Sequence, residues 1–120
     1  MFPPIFSVAA ADPAVTALLG SPPRLYPFGE APQGVASPYA VWQVVGGSPE
    51  NYLGQRPDID GMTLQIDVYA AAASAARAVA VALRDAIEPH AYITRWSGEN
   101  RDPDTSNYRT SFDVDWLVPR

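Results

Sequence analysis

Three aspartates carry the functional groups in this chain best placed for chemistry. Asp113 and Asp115 lie two apart in Asn107-Tyr-Arg-Thr-Ser-Phe-Asp-Val-Asp-Trp-Leu-Val118, and Asp67 lies in Thr63-Leu-Gln-Ile-Asp-Val-Tyr69. In an extended chain Asp113 and Asp115 share one face, about 7 Å apart by strand rise. Carboxylates at such spacing can act as acid and base in a hydrolase or hold a divalent cation. The competing account is solubility, because simple alternation on the wet face of a sheet produces the same pairs. A second acidic motif, Asp102-Pro-Asp-Thr-Ser106, matches positions one, three and five of a calcium loop, with Asp113 at twelve. Asn107 replaces the central glycine, aspartate replaces the bidentate glutamate, and the second half reads as strand rather than helix. A polar turn explains these residues better. The only histidine, His90, stands just past a helix end and has neither a cysteine nor a triad partner nearby. Neither G-x-S-x-G nor G-x-x-x-x-G-K-[ST] occurs, so nucleophile-elbow and Walker-type chemistry have no local support. No catalytic residue, metal ligand or cofactor-binding residue is expected. An acid-dependent hydrolase or metal-binding enzyme using Asp67, Asp113 and Asp115 is the alternative from another class.

The elements that position these residues follow from periodicity. Tyr108, Thr110, Phe112, Val114 and Trp116 fall on one side of an extended chain, and Arg109, Ser111, Asp113 and Asp115 on the other. That period of two predicts a strand with one packed and one wet face. Leu64, Ile66 and Val68 predict the same for a strand over residues 62–69, with Gln65 and Asp67 on its wet side. Further strands are expected at Tyr39-Ala-Val-Trp-Gln-Val-Val45 and Tyr92-Ile-Thr-Arg-Trp-Ser97, followed by a polar turn over residues 98–106. Trp42, Trp96 and Trp116 lie in these strands, so the core accounts for them first. Arg24 to Tyr26, inside a stretch holding five of the thirteen prolines, reads as a short edge strand. Asp12 is suited to cap a helix with Pro13 at its first position and Gly20 at its stop, and Pro3 and Pro4 can open another turn before it. Ala72, Ala75, Ala76, Val79, Leu83, Ala86 and Ile87 form the buried stripe of a longer helix over 72–88 that Pro89 ends. Arg84 and Glu88 are spaced to pair on its outer face. The expected fold is α+β: a mostly antiparallel sheet with two main helices packed on one face, in one domain spanning residues 1–120.

Composition narrows the partners. The formal net charge is −5, and all eight cations are arginine. No basic stripe is present, which disfavours strong nucleic-acid binding and adhesion to an anionic membrane. The absence of cysteine excludes disulfides and thiolate metal sites. The beginning, Met1-Phe-Pro-Pro-Ile-Phe, lacks the charged n-region of a signal peptide, and the longest apolar stretch, over 68–83, is interrupted by Ser74 and Arg77. Residues 46–61 read as a long loop, of the kind that is functional or mobile. It is expected to be mobile alone and to order on assembly. Tyr52, Leu53 and Arg56 in its middle are candidate interaction residues, since apolar groups at a loop tip find few partners in their own domain.

The chain resembles the tail-completion, head–tail joining or tail-terminator-like proteins of long-tailed bacteriophages. The matching pieces are the N-terminal helix, Arg24-Leu-Tyr26 followed by Ala31-Pro32, Pro38-Tyr-Ala-Val41, Leu64-Gln-Ile-Asp-Val-Tyr-Ala70, the alanine-rich helix, and Tyr108-Arg-Thr-Ser-Phe-Asp-Val-Asp115. The resemblance implies a structural virion protein of a phage or prophage, made in the host cytoplasm. It implies a hexameric ring that caps the tail tube and meets the head connector, with DNA passing through unread. It transfers no catalytic residues. Six copies at −5 each would carry a formal −30, a repulsive lining wherever that charge faces the lumen. A head-closure or minor tail protein is the alternative within the same class.

Overall fold

A computed structural model describes residues 2–120. The chain opens with two short helices, α1 (Ile5–Ala10) and α2 (Pro13–Leu19), followed by β1 (Leu25–Pro27), β2 (Tyr39–Pro49) and β3 (Ile59–Ala70). The long helix α3 (Ala73–Ile87) comes next, then β4 (Tyr92–Arg101) and β5 (Tyr108–Pro119). The strands form one five-stranded sheet in the order β1-β2-β3-β5-β4, with β1 parallel to β2 and every other neighbouring pair antiparallel. This is the expected α+β architecture.

Local chemistry sets the helix ends. The Asp12 carboxylate accepts from the N–H groups of Ala14 and Val15, at 2.9 and 3.3 Å, and Pro13 stands at the first helical position. Gly20, at φ +88°, closes α2 by donating its N–H to the Thr16 carbonyl. Both devices satisfy backbone groups that a bare helix end leaves open.

The even-numbered residues of β3 and β5 face the helices. Leu64 stands opposite Val114, Ile66 opposite Phe112 and Val68 opposite Thr110, and all six are buried. The helix α3 packs over β3 and β5, with α1 and α2 against its flank. That second contact explains a difference from the expected stripe. Ala80 and Ala82 are buried in addition to Ala76, Val79, Leu83, Ala86 and Ile87, whereas Ala72 is exposed and Ala75 half-buried. A helix wedged between a sheet and two other helices hides more than one side.

The largest correction concerns residues 46–61. Gly46 to Pro49 continue β2, and Ile59 to Gly61 begin β3, so the connecting loop spans only 50–58. Gly46, Gly47, Pro49 and Gly61 show no alternation of side chains, yet their backbones pair with the neighbouring strand all the way to Pro49↔Asp60. β4 likewise runs on to Arg101 and its turn shortens to 102–107. The edge strand of residues 24–26 is found one residue later, at Leu25–Pro27.

The extended arm depends on close backbone approach. Gly47 has φ +155°, and a Cβ there would run into the carbonyl oxygen of Gly61 and press on the Met62 Cα at 3.1 Å. Gly47→Ala is therefore expected to destabilise the protein by about 1–3 kcal/mol. Urea unfolding checks the magnitude, and faster hydrogen exchange across residues 46–49 and 60–63 checks the location.

Candidate functional site

The outward face of the sheet holds the three aspartates, and β3–β5 pairing brings them together as the alternation predicts. Asp67 lies opposite Ser111, Gln65 opposite Asp113 and Thr63 opposite Asp115. Each carboxylate already has a neighbour. Asp67 accepts from the Ser111 hydroxyl and from the Gln65 amide, and Arg109 stands 3.7 Å away. Asp113 accepts from the Ser97 hydroxyl at 2.9 Å, and Asp115 from the Thr63 hydroxyl at 2.7 Å. Each acid is thus bound into cross-strand pairing of the type that stabilises sheets. The hollow of about 260 Å³ that Asp115 lines contains neither Asp67 nor Asp113. Among the described residues, no group of three or more His, Cys, Asp or Glu side chains is arranged to hold a metal ion.

The calcium-loop motif folds as a hairpin turn. Asp102 accepts from the Asp104 N–H at 2.9 Å, its own N–H donates to the Asn107 carbonyl, and its carbonyl accepts from the Ser106 N–H. Its side chain is used within the turn. His90 is exposed beyond the end of α3. No helix among the described residues is long and apolar enough to cross a membrane.

The tip of the β2–β3 arm is the first candidate contact surface. Leu53 is fully exposed there, and Tyr52 and Arg56 are exposed beside it. The loop has its own scaffold. The Glu50 N–H donates to the Ile59 carbonyl at 2.9 Å, and Tyr52 bridges to Gln55. The Tyr52 hydroxyl donates to Asp58 at 2.8 Å, a bond that holds its proton and raises its pKa. At the stem, the Arg120 guanidinium donates two bonds to the Asp60 carboxylate, at 2.9 and 3.1 Å, and a third to the Pro57 carbonyl. The same contact lowers the Asp60 pKa. The spacing of residues gives no hint of this clamp, since Asp60 and Arg120 meet only when β3 and β5 pair.

A second surface lies along β4. Trp96, expected in the core, is 51% exposed. One side of its indole packs on Phe112, with ring centroids 5.3 Å apart. The other side lines a groove of about 470 Å³ shared with Arg77, Ala80, Val81, Arg84 and Glu99. The cause is coverage: α3 lies over β3 and β5 and reaches β4 through the Arg77–Glu99 ion pair, a two-bond contact at 2.8 Å for each bond. Trp42 is half-buried, and only Trp116 of the three tryptophans is buried.

The Arg77 contact, aided by a bond from the Thr110 hydroxyl, lowers the Glu99 pKa to about 2. A carboxylate with a depressed folded pKa contributes stability above its ordinary range, near 4.5, and loses that contribution as the pH falls toward 2. Glu99→Gln is expected to flatten the pH dependence of the urea midpoint across that acid window and to leave the neutral-pH profile little changed. Both partners are exposed to water, so the effect is small and should shrink in high salt.

No curated protein is significantly similar in sequence. Among solved structures, a chain from the virion of a native gene transfer agent particle superposes with a TM-score of 0.70 at 16% identity, covering 97% of this chain and 92% of that one. At that identity the likeness concerns the fold alone. The model of the family described as tail completion protein gp17 matches residues 3–119. With the match running from before α1 to the last strand residue, the chain belongs to the tail completion protein gp17 family.

Proposed function

We propose that this protein is a structural component of a phage-type virion that completes the tail and joins it to the head connector, acting as an oligomeric ring without catalysis. The family match over residues 3–119 carries the reading. Two features of the molecule support it. The outward carboxylates are occupied by cross-strand partners, and exposed apolar side chains at the arm tip, Tyr52 and Leu53, and along β4, Tyr92 and Trp96, offer surface for contact with other proteins.

In this reading the loop 50–58 is the docking element toward tail tube or connector, with Leu53 and Tyr52 as its apolar contacts and Arg56 as its charge. Copies of the chain form the ring, and the acidic balance discourages DNA from adhering as it passes. Electron microscopy of tailless heads and tail tubes, mixed with and without the purified protein, tests the proposal. Joined particles and a ring at the tube end are expected with the protein and not without it. Failure to bind either tubes or connectors would remove the reading. Turnover of a substrate that disappears in Asp67→Asn, Asp113→Asn or Asp115→Asn would restore the enzymatic alternative.

A further inference from the structure

The sheet has two open edges that differ from each other. On one side, β4 presents ten residues, Tyr92–Arg101, paired only with β5. On the other, β1 pairs with β2 only at Ala40, Val41 and Trp42, so among the described residues no strand pairs with the outer edge of residues 43–49 of β2. An uncovered edge of this length, with no lysine or proline inside β4 to blunt it, is a template for another strand. We propose that these edges pair with each other between copies of this chain, β4 of one copy against residues 43–49 of the next. The proposal rests on the ring reading above and specifies the contact within it.

Strand direction, apolar surface and charge all favour this pairing. β2 and β5 run the same way and β4 runs opposite, so a neighbour in the same orientation meets β4 with an antiparallel β2. Along β4, Tyr92 and Trp96 are exposed, and along the β2 edge Val44 and Val45 are exposed. Arg95 and Arg101 are exposed on β4, and Glu30 is exposed just past the end of β1, on the side of the free β2 edge. Among the described residues, none of these three is within ion-pair distance of an opposite charge. Two β4 edges brought together would oppose arginine to arginine, whereas the β1–β2 side carries Glu30. Pairing of unlike edges joins the charges instead. Such a contact is head-to-tail, and head-to-tail contacts generate rings when the rotation closes. The β2 edge carries one bulge, at Val45, and β4 carries two irregularities, at Thr94 and Ser97, which restrict the partner to one of matching twist.

The natural chain has no cysteine, which makes cross-linking decisive. Val45→Cys and Thr94→Cys place single thiols near the middle of the two edges. Each variant, and an equimolar mixture, is treated with a short bismaleimide under conditions where the wild type is assembled, on tail tubes if required. Circular dichroism verifies folding. The mixture is expected to yield cross-linked dimer at least about tenfold above either variant alone, since like edges do not meet in a head-to-tail contact. Ser48→Cys with Asn100→Cys forms a second pair that samples another register and serves if either first variant misfolds. Self-linking of a single variant as efficient as in the mixture overturns the proposal. So does absence of cross-links from both pairs while the wild type forms rings, an outcome that leaves the ring reading intact. A wild type that forms no ring even on tail tubes overturns the ring reading and this contact with it.

Discussion

Phe112→Ala is expected to cost about 3–5 kcal/mol, a large share of the roughly 5–15 kcal/mol that stabilises a domain of this size. Phe112 is fully buried at the centre of β5. It stands opposite Ile66 across one strand pair and opposite Trp96 across the other, and its ring packs on the Trp96 indole. Truncation removes apolar burial and leaves a void whose walls are held by three strands and α3, so collapse around it is limited. It also removes one side of the support for Trp96, whose other side faces the β4 groove. Urea unfolding at neutral pH checks the magnitude. A loss below about 1 kcal/mol would mean that β4 and α3 close readily over the gap, contrary to the packing described. Phe112→Leu, which keeps most of the volume, should cost far less.

Leu53→Asp should have the opposite profile. Leu53 is fully exposed and has no packing to lose, so stability should stay within about 0.5 kcal/mol of wild type. Docking is another matter. If the arm tip meets a virion neighbour, an aspartate forced into that apolar contact costs at least about 2 kcal/mol, roughly thirtyfold in affinity. Counting heads joined to tails by electron microscopy reads the effect. Wild-type joining by Leu53→Asp would remove the arm tip from the contact. Tyr52→Phe separates two roles of the neighbouring ring, because it keeps the apolar surface while deleting the hydroxyl that donates to Asp58. Normal joining with a looser loop by hydrogen exchange is expected.

Glu99→Gln and Phe112→Ala also mark the two ways β4 is held. The first acts through an exposed ion pair to α3 and the second through aromatic packing against β5. The packing term dominates because water screens the ion pair and cannot enter the buried ring contact. Edge strand β4 should therefore survive loss of Glu99 and suffer from loss of Phe112.

Much of this architecture is legible along the chain. Alternation in residues 62–69 and 108–118 identifies the two central strands and assigns their faces, since side-chain direction in a strand is a local property with a period of two. Asp12, Pro13 and Gly20 mark the bounds of α2 for an equally local reason: each acts on backbone groups within one turn of itself. Alanine and leucine spacing reveals α3, and even the Arg84–Glu88 pair, 3.6 Å apart, follows from spacing alone. The exposure of Tyr52 and Leu53 agrees with their position at a loop tip.

Other properties were decided only in three dimensions. The glycine- and proline-bearing ends of β2 and β3 are strands because neighbouring backbones pair with them, and backbone pairing leaves no mark on side-chain order. Trp96 is half in water because α3, a separate element, does not extend over β4. Asp60 and Arg120 meet because of β3–β5 register across sixty positions. Whether a strand is central or at an edge depends on sheet order, which arises from contacts between distant segments. The sequence by itself determined which residues are apolar, where helices begin and end, and which way strand side chains alternate, all effects of short range. Tertiary structure decided which apolar residues remain uncovered, because coverage depends on how separate elements pack.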